Sequence, residues 1–294
     1  MKVSDKRVVL KVNSSLKEDN YVNLGLVKNI PHEELFHEVS IVIAEENLEY
    51  VNAHSRKVSP RHSFYTRYGK RIIDIIVSVA AIVITLPVNV VLGFCTVCDV
   101  GRPIIFKQER VGIKEKPFTI LKFRNMSNAT DEKGLLLPPD QRVTKFGKFV
   151  RKTSLDELLN FWSILKGEMS IIGPRPLPYD YLNFYSDRHR MRFSVRPGLE
   201  CPLLYAAEDK VIWSDKFEND IYYIENVSFL LDIKMIFALV RMVFDKEGTA
   251  IRGNAIRGSF MGYNRNGTSI NSQKVQRNYF EKAIRRMGYE ENKY

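Results

Sequence analysis

The chain has 294 residues, 45% hydrophobic and 27% charged, with Lys plus Arg exceeding Asp plus Glu by 11. That length gives one large domain or two modest ones a real core, and that balance excludes a disordered chain and a multi-span membrane protein. Cys95, Cys98 and Cys201 are too few, and odd in number, for a disulfide-stapled scaffold. The first twenty residues lack the uncharged apolar core of a secretory signal, so none is expected there. The basic excess points to an anionic partner: nucleic acid, anionic lipid or a phosphorylated metabolite. Residues 101–200 hold 19 basic and 11 acidic side chains, so the anion is expected in that third of the chain.

Residues 1–60 are mixed and polar, with one β-like run (Val39, Ile41, Val42 and Ile43) and no identifiable chemistry. Between Asp74 and Asp99 lie 24 uncharged residues rich in Val, Ile and Ala. As a helix they reach ~36 Å against a bilayer core of ~30 Å, so membrane contact is expected. Basic residues flank both sides, Arg67, Lys70 and Arg71 before and Arg102, Lys107 and Arg110 after. A spanning helix gathers them on its cytoplasmic side only. Pro87, near the middle, lacks an N–H and clashes with the preceding turn. Two readings stand level: a helix broken at Pro87 that enters one leaflet and returns, and an ordinary kinked span. Thr85 and Asn89 stand where they could satisfy freed backbone groups. Phe64, Tyr65 and Tyr68 fit an interfacial aromatic belt. Cys95 and Cys98 have CxxC spacing without a second pair and read as small apolar packing.

Residues 103–126 alternate apolar and polar around Gly112 and Pro117, which predicts two strands and a turn. Residues 127–141 read as a loop from their Asn, Gly and Pro content. Then come Arg142, Lys145, Lys148, Arg151 and Lys152, followed by adjacent carboxylates, Asp156 and Glu157. Ser154-Leu-Asp-Glu157 has the capping-box form, so a helix is expected from Ser154 onward with both acids in its first turn. The positive helix end and the nearby cations would favour ionised carboxylates. An ionised Asp there suits a nucleophile or a metal ligand, although on spacing alone a helix-stabilising role is commoner.

Gly173-Pro174-Arg175-Pro176 fixes the backbone on both sides of one Arg. This suits either a bidentate grip on a phosphate or a rigid turn with an exposed side chain. Lys122-Phe123-Arg124 and Arg196-Pro197-Gly198 are weaker candidates of the same kind. Residues 227–245 have helical amphipathicity with Lys234, Arg241 and Asp245 on one face, fitting a core or an interfacial helix. The polar, basic tail, 246–294, is expected to be loosely ordered, with a helix near 273–287.

Taken in order, these segments resemble the bacterial sugar transferase family, the monotopic phosphoglycosyl transferases, from about Tyr68 to Gly248. The resemblance rests on KRIID (70–74), the proline-interrupted apolar segment, FKQERVG (106–112) and FTILKFRNM (118–126). It continues through RVTKFGKFVRKTSLDELLNFW (142–162), KGEMSIIGPRP (166–176), RPGL (196–199) and DIYYIENVSFLLDIKMI (220–236). It implies a mixed, mainly helical α/β fold: a re-entrant membrane helix-break-helix plus a small interfacial cytoplasmic catalytic domain with amphipathic helices. The chain then divides into an N-terminal extension (1–62), an anchor (63–100), a catalytic domain (101–248) and a basic C-terminal extension (249–294).

The implied reaction moves a sugar 1-phosphate from a UDP-sugar to a polyprenol (undecaprenyl) phosphate with Mg²⁺, releasing UMP through a phosphosugar-aspartate. In the family this initiates assembly of exopolysaccharide, capsule, O-antigen or glycoprotein glycan at the cytoplasmic face of the bacterial inner membrane. Asp156 matches the nucleophile and Mg²⁺ ligand, and Glu157 its catalytic partner. Lys122, Arg124, Arg151 and Arg175 match the phosphate-binding positions. Leu86 precedes Pro87 where the family commonly has Ser, Leu159-Asn160 stands for its Pro-Gln, and Ser163 for its Asn. Membrane lipid is an expected partner, nucleic acid is not, and a homo-oligomer is left open. A nucleic-acid-binding protein would share the charge but not the 24 uncharged residues; a silent membrane scaffold would lack the Asp-Glu pair.

Overall fold

The uncharged segment lies in one helix, α2 (Lys70–Val100), entered through a π-helical turn at Tyr65–Gly69. The computed structural model describes residues 7–8, 20–27, 30–130, 134, 136–137, 139–202, 212–244 and 258–291. Most of the apolar side chains of α2 are bare, among them Val83, Ile84, Val90 and Phe94. It is long and apolar enough to cross a membrane, and its central window is little buried by the rest of the chain. Its polar residues Asp74, Ser78, Thr85, Asn89 and Thr96 recur at helical spacing along its less exposed face. The expected break at Pro87 is not seen, because α2 continues through it. Pro87 leaves the Val83 carbonyl without its usual donor. The turn around it is braced by Thr85 Oγ1 donating to the Ala81 carbonyl (2.7 Å) and by Asn89 Nδ2 donating to Thr85 Oγ1 (3.3 Å).

Both ends of α2 dock on the same unit. Near its start, Arg71 donates to the carbonyls of Ile164 (2.6 Å) and Leu165 (2.7 Å). One turn on, Asp74 accepts from Ser170 Oγ and the Ile171 N–H. Near its end, Leu92 packs with Phe123 and Val150, and Asp99 accepts from Thr144 Oγ1 at 2.6 Å. Of the expected aromatic belt, Phe64 and Tyr68 are exposed. Tyr65 turns inward instead, because buried Asp232 offers its hydroxyl an acceptor at 2.6 Å, beside Lys70 and Tyr223.

The unit it docks on begins with the expected hairpin, β3 (Ile105–Val111) paired antiparallel with β4 (Pro117–Phe123), from Ile105↔Phe123 to Val111↔Pro117. Within 127–141 the described residues are mainly loop, closed by the short helix α3 (Pro139–Arg142). Helix α4 (Lys145–Lys152) is capped by Thr144, whose Oγ1 accepts from the Gly147 N–H. Helix α5 (Asn160–Lys166) leads to β5 (Ser170–Ile172). After α6 (Asp187–Arg190), β6 (Gly198–Glu200) lies parallel to β5. Helices α7 (Trp213–Asn226) and α8 (Phe229–Phe244) complete it. Ile120, Ile164, Ile172, Ile221 and Met235 share its core. On α8, Leu230, Phe237 and Val240 stay exposed beside Lys234 and Arg241, an interfacial pattern. Asp245, expected on that face, lies outside the described residues.

Two expectations for the ends of the chain are corrected. The β-like run is the middle of helix α1 (His32–His54): Leu35, Val39, Val42 and Ile43 fall on one helical face, and all are buried. The tail is not loose in its described part. It forms β7 (Phe260–Tyr263), β8 (Ser269–Asn271), β9 (Val275–Gln276) and helix α9 (Arg277–Arg286), the last as expected. Strand β2 (Tyr21–Val22) pairs with β9, and β1 (Arg7–Val8) with β10 (Glu290–Glu291). Leu35, Val39 and Ile43 share one core with Met261, Phe280 and Ile284. The two ends therefore make a single packed unit.

Candidate active site

Asp156 and Glu157 stand in a single 3₁₀ turn, Leu155–Glu157, between α4 and α5. The capping box is not formed. Ser154 adopts the left-handed conformation (φ 57°, ψ 21°) and its side chain caps nothing. Glu157 is drawn elsewhere, because two cations compete for it. Lys122 Nζ on β4 and a guanidinium NH2 of Arg175 both donate to Glu157 Oε1, at 2.6 and 2.5 Å. A left-handed non-glycine residue is strained, and here it redirects the chain at the turn that carries both acids.

Arg175 reaches Glu157 because its loop is tightly built. The Gly173 N–H donates to the Glu200 carbonyl and the Gly198 N–H to the Pro174 carbonyl. A Cβ on Gly198 would lie 2.2 Å from the Gly173 nitrogen, so the close approach of the two backbones requires glycine there. The other arm of Arg175 donates to the Leu199 carbonyl (2.8 Å) and to Glu200 (3.2 Å). The rigid loop expected from the two prolines is therefore present. Its Arg is part of an ion-pair cluster rather than a bare turn residue.

Asp156 is buried and has different company. Its Oδ2 accepts from Asn125 Nδ2 at 3.0 Å, and Asn125 Oδ1 accepts from Arg151 Nε at 2.9 Å. Arg151 thus reaches the nucleophile candidate through a neutral relay. Arg124 precedes Asn125 in the chain, and its Nε and one terminal nitrogen are buried without a hydrogen-bond partner among the described residues. Arg196 donates to the Gly167 carbonyl, which makes it a brace.

The electrostatics divide the two acids. Burial pushes Glu157 up, but Arg175 and Lys122 outweigh it and bring the carboxyl from 4.5 down to about 2. Burial and the neighbouring Glu157 raise Asp156 above its ordinary value, against Lys122 and Arg151. The expectation that its surroundings favour the ionised form is therefore corrected for Asp156 and holds for Glu157. The reason is geometric: the cations touch Glu157, while Asp156 meets an amide.

A depressed carboxyl stabilises the fold above its unfolded value and loses that contribution as pH falls toward its folded value. For Glu157 that window runs from 4.5 down to about 2 and is worth on the order of 3 kcal/mol. Glu157→Gln is expected to be less stable than the wild type at pH 7 by that order, with the gap narrowed to less than roughly half at pH 3 and closing only below about pH 2. Urea midpoints of both proteins at the two pH values check this.

The cleft above these groups is lined by Arg110, Ile120, Lys122, Glu157, Asn160 and Arg175, among others. Sequence reasoning counts Arg110 only among the basic flanks of the apolar segment. Burial and then the positive charge of Arg175 lower its pKa, and its Nε has no partner among the described residues. Two neighbouring guanidiniums facing a cleft make a place for a multiply charged anion.

Residues 65–246 match the sequence profile of the family described as bacterial sugar transferase. The chain belongs to the bacterial sugar transferase family. It is 40% identical over 182 residues to the uncharacterized sugar transferase EpsL of Bacillus subtilis (strain 168), covering 61% of this chain and 89% of that one. It is 32% identical over 200 residues to the undecaprenyl-phosphate galactose phosphotransferase of Salmonella typhimurium, covering 62% and 42% of the two chains. It is 33% identical over 190 residues to the UDP-glucose:undecaprenyl-phosphate glucose-1-phosphate transferase of Escherichia coli K12, covering 59% and 40%. The chain spans less than half the length of the last two. In this chain the matched region holds α2 and every residue of the cleft, while α1 and α9 lie outside it.

Sequence reasoning also missed Asn125 and Glu200. Asn125 had a local signal, its place directly after Lys122-Phe123-Arg124 at the end of a strand. Glu200 had none.

Proposed function

We propose that this chain transfers a sugar 1-phosphate from a UDP-sugar to a polyprenol phosphate, the initiating step of a surface-glycan assembly. The observation that carries this reading is the cleft itself. Arg110, Lys122 and Arg175 converge at the turn bearing Asp156 and Glu157, and this turn packs at the foot of an apolar helix. The relatives with named substrates use a UDP-sugar or undecaprenyl phosphate by their names, which supports the same substrates here.

In this reading the basic residues bind and orient the diphosphate. A carboxylate oxygen of Asp156 attacks the β-phosphorus. The bond to the bridging oxygen breaks, UMP departs with the electron pair, and a phosphosugar-aspartate remains. A phosphate oxygen of the polyprenol phosphate then attacks the same phosphorus and Asp156 leaves as carboxylate. Glu157 holds Lys122 and Arg175 in place through both steps. The two-step route lets a soluble and a lipid substrate meet the same residue in turn.

Mg²⁺ takes one or two carboxylates and fills its shell with water and phosphate oxygens. The residues present fit that pattern: Asp156, whose observed side-chain partner is a neutral amide, would be the principal ligand. No group of three or more acidic, His or Cys side chains forms a dedicated metal cage among the described residues. Bound there, the ion would neutralise diphosphate charge. The test is UMP release from a panel of UDP-sugars with polyprenol phosphate and Mg²⁺. Membrane binding without UMP release from any of them would favour a silent scaffold instead.

The docking of both ends of α2 on one unit supports a monotopic, re-entrant placement, and the basic residues on both flanks of the apolar segment support the cytoplasmic face for that unit. A straight helix of 31 residues is ~46 Å long, and a span would part Arg71 from Asp99 across a core of ~30 Å. One folded unit would then have to touch both sides of the bilayer. Pro87 is where α2 bends at least cost. In a background lacking the three native cysteines, single cysteines near Arg61 and Lys114 are expected to label from the same side. Opposite-side labelling would overturn this placement. Pro87→Leu is expected to move part of the population toward a span.

A further inference from the structure

The unit built from the two chain ends lies outside the region matched by the family, yet one of its side chains stands behind the cleft. Phe260, on β7, is 1% exposed and packs on Phe217 and Tyr185, with ring centroids 5.1 and 5.4 Å away. Those rings enclose Arg192. Its guanidinium lies 5.3 Å from the Phe217 centroid, 5.6 Å from Tyr185 and 5.7 Å from Phe193. Arg192 is 2% exposed and forms an ion pair with fully buried Asp220 at 2.8 Å. It also donates to the Tyr185 hydroxyl (3.0 Å) and, through NH2, to the main-chain carbonyl of Arg175 (2.8 Å). The path from the C-terminal segment to the cleft thus has three links: Phe260, the caged Arg192, and the backbone of the residue that grips Glu157.

Each link restricts the next. A guanidinium so deeply buried has few geometries that keep its partners, so the rings that flank it decide where its NH2 points. That NH2 holds the carbonyl between Pro174 and Pro176, where the loop has little freedom of its own. The back of the cage is closed by Phe260, which the matched region does not supply.

We infer that Phe260 is a positioning residue for Arg175, and that the unit formed by the chain ends acts as a buttress of the active site. The inference rests on the proposed reaction only for its effect on rate, because the position of the loop can be read without turnover. The reporters are two amides that depend on the loop: Gly198 N–H, bonded to the Pro174 carbonyl, and Val111 N–H, bonded to the Leu177 carbonyl. The experiment compares full-length wild type, Phe260→Ala, Phe260→Leu and Phe280→Ala by hydrogen exchange and by UMP release, below every melting transition. Phe280 is the control, a fully buried phenylalanine in the core of the same unit, outside the ring cluster of Phe260.

Phe260→Ala is expected to speed exchange at both amides about tenfold. UMP release should fall between about tenfold and 10²-fold, since a small displacement of a phosphate-gripping group has that scale of effect. Phe260→Leu keeps apolar bulk and should fall between wild type and Phe260→Ala; if the alanine variant does not fold, it decides the matter. Phe280→Ala should lower the melting temperature and leave both amides and the rate near wild type. Unchanged amide exchange in the Phe260 variants, or an equal rise in Phe280→Ala, would overturn the inference. If wild type releases no UMP from any UDP-sugar, the proposed reaction fails while the exchange comparison still decides the role of Phe260.

Discussion

Asp156→Asn is expected to abolish turnover while leaving the protein folded. The substitution is nearly isosteric, and the new amide oxygen can still accept from Asn125 Nδ2. Burial already disfavours the charged carboxyl at this position, so removing the charge relieves a cost rather than creating one. What is lost is the anionic oxygen that must attack phosphorus, together with the carboxylate suited to Mg²⁺. The deciding measurement is intact mass after incubation with a UDP-sugar and Mg²⁺ but no polyprenol phosphate. Wild type should gain one sugar phosphate and Asp156→Asn none. Equal labelling of the mutant, or turnover at the wild-type rate, would remove Asp156 from the role of nucleophile.

The second large effect is expected at Arg175. Arg175→Lys keeps the charge but cannot span Glu157, the Leu199 carbonyl and Glu200 at once. A lysine satisfies one of these and leaves the planar fork unfilled. UMP release should fall about 10²-fold, the scale of losing one preorganised donor from a site where charge is moving. Glu157 keeps Lys122 as a partner, so the thermal midpoint should move little by comparison. Near-wild-type turnover would make Arg175 a structural clamp only.

Some of this architecture was legible locally. The hairpin β3–β4 could be read because alternation and Gly112–Pro117 act over a few residues, and α2 because 24 uncharged residues have few other fates. The Asp156–Glu157 pair gave a weak signal by spacing, and its assignment came from resemblance to a family. The capping box failed for a non-local reason: the partners of Glu157 stand 35 and 18 residues away in sequence and outbid Ser154. Arg110 reads only as a basic flank of the apolar segment, because nothing in an alternating strand marks it as a cleft residue until Arg175 is folded beside it. The run Val39–Ile43 reads as strand in a short window, and becomes one face of α1 only when Leu35 is counted with it.

The shared core of the chain ends has a consequence for synthesis. Ser40 on α1 and Met261 on β7, which meet in the folded protein, are 221 residues apart. At roughly 5–20 residues per second, α1 leaves the ribosome about ten seconds or more before its partner strands exist. During that interval its apolar face is bare, and α2, translated next, adds a second helix with exposed apolar side chains. The terminal unit must therefore close last, over a matched region and an α2 already made. An early release would leave the apolar face of α1 exposed, where aggregation or a holding chaperone takes over.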